Sequence, residues 1–99
     1  MMITGKKITL GGKEFEAPPA PFSVMRKYAD VFSGEGKADT FMMSDVVFCA
    51  LRRNYPDLTQ DEFEEKYLDV SNMREAFNAV MNISGAEARA PGEAQPGNL

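Results

Sequence analysis

Three prolines within four residues, Pro18, Pro19 and Pro21, divide the chain into two parts that cannot share one kind of secondary structure. A proline has no N–H to donate and biases the residue before it away from helix, so residues 17–21 fit neither a sheet ladder nor a helix interior. They form a stiff connector. Before it, apolar residues alternate with polar ones, and after it they recur at helical spacing.

The alternating part, residues 7–17, is centred on Gly11-Gly12, the signature of a tight hairpin whose two turn residues both take positive φ. That turn sets the register: Leu10 pairs with Lys13, Ile8 with Phe15, Thr9 with Glu14 and Lys7 with Glu16. Ile8, Leu10, Phe15 and Ala17 then share an apolar side, and opposite charges pair on the other. A lone hairpin is marginal in water, so the apolar side must rest on helices.

Downstream, the pattern predicts a first helix over about 22–33, with Met25, Tyr28, Ala29 and Phe32 on one stripe, Ser23 as cap and Gly34 as stop. A polar loop leads to a second helix over about 41–54, starting at Thr40 or Phe41, with the stripe Met43, Val46, Val47, Ala50 and Leu51. Met42, Phe48 and Cys49 widen this stripe until only Ser44, Asp45, Arg52 and Arg53 look solvated. Such a helix is either central in the core or engaged on two sides. Pro56 ends it. The capping box Thr59-Gln60-Asp61-Glu62 opens a short third helix, about 60–68, that buries chiefly Phe63, Tyr67 and Leu68. With six acids against one lysine between Asp57 and Asp69, its outer face must be wet. A fourth helix, about 72–84, starts near Ser71 or Asn72, carries Met73, Ala76, Phe77, Val80 and Met81, and closes at Ser84-Gly85. The expected fold is mainly α: an N-terminal hairpin and a bundle of about four helices in a single domain, 1–85. Residues 86–99 are too poor in large apolar side chains to offset their ordering entropy and read as a flexible tail.

Composition narrows function by exclusion. The chain contains no histidine, which removes the usual general base, the imidazole metal ligand and every Ser-His or Cys-His arrangement. One cysteine allows no internal disulfide and no thiolate zinc site, and Cys49 lies in the most apolar stretch, where a buried structural thiol is expected. Asp61, Glu62, Glu64 and Glu65 have no second cluster to face and read as a solvated helix surface rather than a magnesium or acid–base site. Gly11-Gly12 is followed by neither a lysine-serine pair nor a helix start, so it is no phosphate loop. A net charge of −4 argues against nucleic acid, and a helix-turn-helix would present its most acidic segment to the phosphates. The longest apolar run, residues 46–51, is far short of the roughly 20 residues a membrane span needs. The N-terminus lacks the pattern of a secretory signal, so a cytoplasmic location is expected. These residues point to a protein-binding module with no enzyme activity, no cofactor, no metal, and neither nucleic-acid nor membrane partners.

Seven methionines fit either core filling or an adaptable binding surface. The side chains on the second face of helix two, Met42, Phe48 and Cys49, rimmed by Arg52 and Arg53, are the candidate partner-binding residues.

The order of features also carries a resemblance. The hairpin Ile8-Thr9-Leu10-Gly11-Gly12-Lys13-Glu14-Phe15 comes first, then the hinge Pro18-Pro19-Ala20-Pro21, then a short acidic helix after Tyr55-Pro56-Asp57-Leu58-Thr59. Leu68-Asp69 follows, leading into Ala76-Phe77-Asn78-Ala79-Val80-Met81-Asn82-Ile83-Ser84-Gly85. Over about residues 3–85 this resembles the tail assembly chaperones of long-tailed bacteriophages and prophages. The resemblance implies a protein of the bacterial cytoplasm that is absent from the mature virion. It would bind the long helical tape measure protein, keep it soluble and help recruit tail tube subunits, possible self-association included. The alternative from another class is a structural head–tail or tail-terminator component that stays in the particle.

Overall fold

A computed structural model describes residues 2–37 and 39–84. The expected tail 86–99 and the Gly85 cap lie outside the described residues. Strands β1 (Lys6–Leu10) and β2 (Lys13–Ala17) form an antiparallel hairpin, followed by α1 (Phe22–Lys27), α2 (Ala29–Phe32), α3 (Thr40–Arg52), α4 (Gln60–Glu62), a π-helical turn over Phe63–Tyr67, and α5 (Met73–Ile83). The architecture is the expected one, a hairpin followed by a small helical bundle.

The hairpin takes the register that its turn dictates, with Leu10 opposite Lys13, Ile8 opposite Phe15 and Lys7 opposite Glu16. Gly11 and Gly12 have φ of 59° and 81°, the left-handed pair of a type I′ turn. Gly11 meets a second demand. A Cβ there would lie 2.4 Å from the Lys66 carbonyl oxygen, because the hairpin tip sits on the backbone of the π turn. Phe15 fills the space between, edge-on to Tyr55 at 5.2 Å and to Tyr67 at 5.1 Å.

Asn54 and Tyr55, just past α3, fix the hairpin from its β2 side. Glu16 lies in a non-hydrogen-bonded pair with Lys7, so its N–H and C=O point away from β1. The Tyr55 hydroxyl accepts from the Glu16 N–H at 2.8 Å, and Asn54 Nδ2 donates to the Glu16 carbonyl at 2.9 Å. Asn54 also brackets Ile3, accepting from its N–H at 2.6 Å and donating to its C=O at 2.9 Å. One buried amide thereby ties three chain segments together.

At the centre lies α3, started by Asp39, whose side chain accepts from the Met42 N–H at 2.8 Å. Its Val46, Val47, Ala50 and Leu51 are fully buried, and Met42, Ser44 and Phe48 are buried as well. Of the two expectations for this helix, the central one holds. Ser44, expected in solvent, is covered because the π turn crosses it, and its hydroxyl donates to Glu64 at 3.3 Å. On α5 the stripe Met73, Ala76, Val80 and Met81 is buried as the spacing predicts, with Phe77 half-buried.

Three local expectations need correction. The first helix is broken at Tyr28, which has φ −118° and ψ 40°, so α1 and α2 have different phases. Val24 is therefore buried in place of Met25. The N-cap is Pro21, already extended, which leaves Ser23 inside the first turn without a capping bond. The third helix turns from α to π winding after Glu62, closed by the Leu68 N–H on the Phe63 carbonyl at 2.8 Å. Widening the turn from i+4 to i+5 brings Leu68 onto the face of Phe63, so this short segment buries both. Its entry is as expected, with Thr59 accepting from the Glu62 N–H at 3.1 Å, although the Glu62 carboxylate turns to Lys66 at 3.8 Å.

Two substitutions test this docking by chemical denaturation. Gly11→Ala should destabilise by about 2 to 4 kcal/mol and clearly more than Gly12→Ala, since only the first meets backbone as well as an unfavourable φ. Asn54→Ala should cost about 2 to 4 kcal/mol by leaving buried partners unpaired.

Candidate protein-binding surface

The segment α1–α2 is lightly attached to the bundle. Val24 is its one buried residue, with Tyr28, Val31 and Phe32 partly covered against the core. What holds it is polar. Asp45 of α3 accepts on Oδ2 from Lys27 Nζ at 2.5 Å and from the Tyr28 hydroxyl at 2.6 Å, while Cys49 Sγ approaches Oδ1 at 3.7 Å. The residue that breaks the helix is thus the one that reaches across to α3.

The charges in this cluster follow from their surroundings. Burial pushes the Asp45 carboxyl upward, but the hydrogen bonds from Lys27 and Tyr28 and the lysine's charge outweigh it, and the net value is below the usual carboxylate range. The bond to Asp45 raises the Lys27 ammonium, and burial followed by the neighbouring carboxylate raises both Tyr28 and Cys49. Cys49 is therefore a protonated, poorly nucleophilic thiol. Among the described residues no group of three or more Cys, Asp or Glu could hold a metal ion, and no helix is long and apolar enough to cross a membrane.

Anchored this way, α1 has its remaining apolar side chains on the outside. Phe22 is 74% exposed and Met25 41%. They flank a cleft of about 190 Å³ between α1 and the C-terminal end of α5, lined by Ala20, Pro21, Val24, Phe32, Met81 and Ser84 as well. The proline connector sets one wall of this cleft. Ser84 Oγ accepts from the Ala20 N–H at 2.9 Å and donates to the Val80 carbonyl at 2.7 Å, and Arg53 Nη1 donates to the Pro19 carbonyl at 2.7 Å. The Ala20 N–H and the Pro19 and Pro21 carbonyls of this wall are thus already satisfied. Ile83 is also partly exposed on the last turn of α5.

The residues expected to bind a partner are placed differently. Met42 is 3% exposed and Phe48 7%, so neither offers a contact surface in the folded chain. The π turn covers Phe48: Phe63 lies against its ring at 5.7 Å, and Arg52 of α3 itself stacks over that ring at 5.7 Å; Met42 belongs to the same core cluster. Cys49 is half-buried beside Asp45, and Arg53 holds the connector. Arg52 and Arg53 are exposed, but what they rim is core. The sequence contained a signal for the other arrangement. Val24, Tyr28 and Val31 stand at i, i+4 and i+7, a second stripe that leaves Phe22 and Met25 outside.

Stability should fall toward both pH extremes through this cluster. With its folded pKa depressed, Asp45 contributes stability that is complete above about pH 4 and is lost as pH falls through the folded value. Lys27, with its folded pKa raised, contributes below about pH 10 and loses that contribution as pH rises through the folded value. Asp45→Asn should therefore cost about 1 kcal/mol at neutral pH, and the gap from the unsubstituted chain should narrow as pH falls below about 4 in denaturation curves.

No family model, curated protein or solved structure matches this chain, so the surface stands on its own geometry.

Proposed function

We propose that this protein is a phage or prophage tail assembly chaperone that acts without catalysis, covering apolar segments of the helical tape measure protein during assembly. The carrying observation is the exposed pair Phe22 and Met25 over the apolar cleft between α1 and α5. An apolar patch that a small chain leaves uncovered marks a place for another polypeptide. A cleft with a ring and a thioether at its mouth suits the apolar face of an amphipathic helix, with side chains inserted at i, i+3 and i+4. Met25 and Met81 can repack around different side chains, which a chaperone needs when its client presents many similar but unequal segments.

The light attachment of α1–α2 supports the same reading. A segment held chiefly by one buried aliphatic residue, a tyrosine hydrogen-bonded to Asp45 and the Lys27–Asp45 ion pair can shift to fit a client at small cost to the rest of the fold. The order of sequence features that resembles the chaperone family supplies the identity of the client. The protein would then work in the bacterial cytoplasm, bring tail tube subunits to the tape measure, and be absent from finished particles.

The double substitution Phe22→Glu with Met25→Glu should leave the melting temperature within a few degrees, because both side chains are on the surface. It should also abolish the solubility that the unsubstituted chain confers on a co-expressed tape measure protein. Equal client solubility with the double variant would place the contact elsewhere. Detection of the chain in purified virions by mass spectrometry would favour a structural component instead.

A further inference from the structure

We propose that the free edge of β1 is a second docking site, which takes an extended segment of another protein as a third strand, one whose residues alternate between apolar and acidic. This surface is separate from the client cleft and does not depend on it.

The hydrogen-bonding pattern defines the edge. In a hairpin closed by a two-residue turn, the pairs Leu10–Lys13 and Ile8–Phe15 exchange the ladder bonds. The N–H and C=O groups of Lys7 and Thr9 then point away from β2. The opposite edge shows what such groups require, since Glu16 has its own outward N–H and C=O satisfied by Tyr55 and Asn54. No described residue does this for Lys7 or Thr9. An exposed edge of this kind is a template for strand addition.

Beside that edge lies a groove of about 530 Å³ bounded by the whole of β1 and by one stripe of α5. Its floor is small and apolar, the buried Ala76 and Ala79, and its far wall carries Glu75, Asn78 and Asn82. Each asparagine amide has both a donor and an acceptor, which suits recognition of backbone. The volume falls in the range of ordinary ligand sites.

Charge and register determine the occupant. A strand added to β1 places alternate side chains over the alanine floor beside Ile8, where apolar residues fit. The intervening side chains lie on the other face beside Lys7, whose ammonium has no carboxylate within ion-pair distance among the described residues. Carboxylates belong there.

The probe is a capped seven-residue peptide alternating valine and glutamate, compared with a peptide of the same composition arranged in two blocks. Amide hydrogen exchange of the full chain should slow at Lys7 and Thr9 by at least about tenfold with the alternating peptide and remain unchanged with the block peptide. Thr9→Pro removes an outward N–H without touching the ladder, a position where an edge strand tolerates proline. It should weaken binding at least about tenfold, and Lys7→Glu should weaken it several-fold. Should Thr9→Pro fail to fold, Lys7→Glu and the exchange pattern decide. The proposal is overturned by no binding up to millimolar peptide, by binding that leaves the two amides exchanging freely, or by equal binding of the block peptide. It is also overturned if these amides are protected in the free protein in a concentration-dependent way, because a second copy then occupies the edge.

Discussion

The burial of α3 on nearly every side is the constraint on which the rest of this small fold depends. A helix of 13 residues with seven buried side chains needs neighbours all round, and the chain supplies each from a different segment. Asn54 and Tyr55 at its end hold the hairpin, Phe48 receives Phe63 from the π turn, and its buried stripe packs on α5. By the time α1–α2 is placed, most of the apolar surface of α3 is covered. This last segment adds Val24 to the core and is otherwise fixed through the Asp45 carboxylate, with Tyr28, Val31 and Phe32 only partly covered. Phe22 and Met25 stay outside for that reason.

This arrangement separates rigidity from adaptability. The hairpin, α3, the π turn and α5 share one core cluster in which Phe15, Val46, Val47, Leu51, Phe63 and Val80 are wholly buried, and such close packing resists deformation. The proline connector is pinned by Arg53 and by Ser84, which keeps the entry to α1 in a fixed direction. Between that fixed entry and the Asp45 lock, the outer face of α1 is free to meet a partner. The same division leaves the β2 edge of the hairpin capped at Glu16 by Asn54 and Tyr55 and, among the described residues, the β1 edge open.

The hairpin was fully legible in the sequence because its register follows from two glycines and simple alternation, both local properties. The buried stripes of α3 and α5 were legible for a similar reason, as each is long enough for its period to be unambiguous. The α1 stripe was misread because Tyr28 breaks the helix to reach Asp45, and that partner lies 17 residues away in sequence. The partner-binding face failed for a related cause. Met42 and Phe48 looked like surplus surface because the period of α3 shows how much of the helix is apolar, whereas which part is covered depends on the segments that pack across it, the π turn in the case of Phe48. The π winding itself arises from the need to bury both Phe63 and Leu68 in a segment too short to do so as α-helix.

A photoreactive phenylalanine analogue placed at Phe22 in one protein and at Arg52 in another tests the account most directly, in cells that also express the tape measure protein. Both positions are exposed, so neither substitution disturbs the core. The account predicts a client cross-link from position 22 and little or none from position 52. Cross-linking from position 52 with none from position 22 would contradict it, because the client would then lie against the face of α3 that the π turn covers.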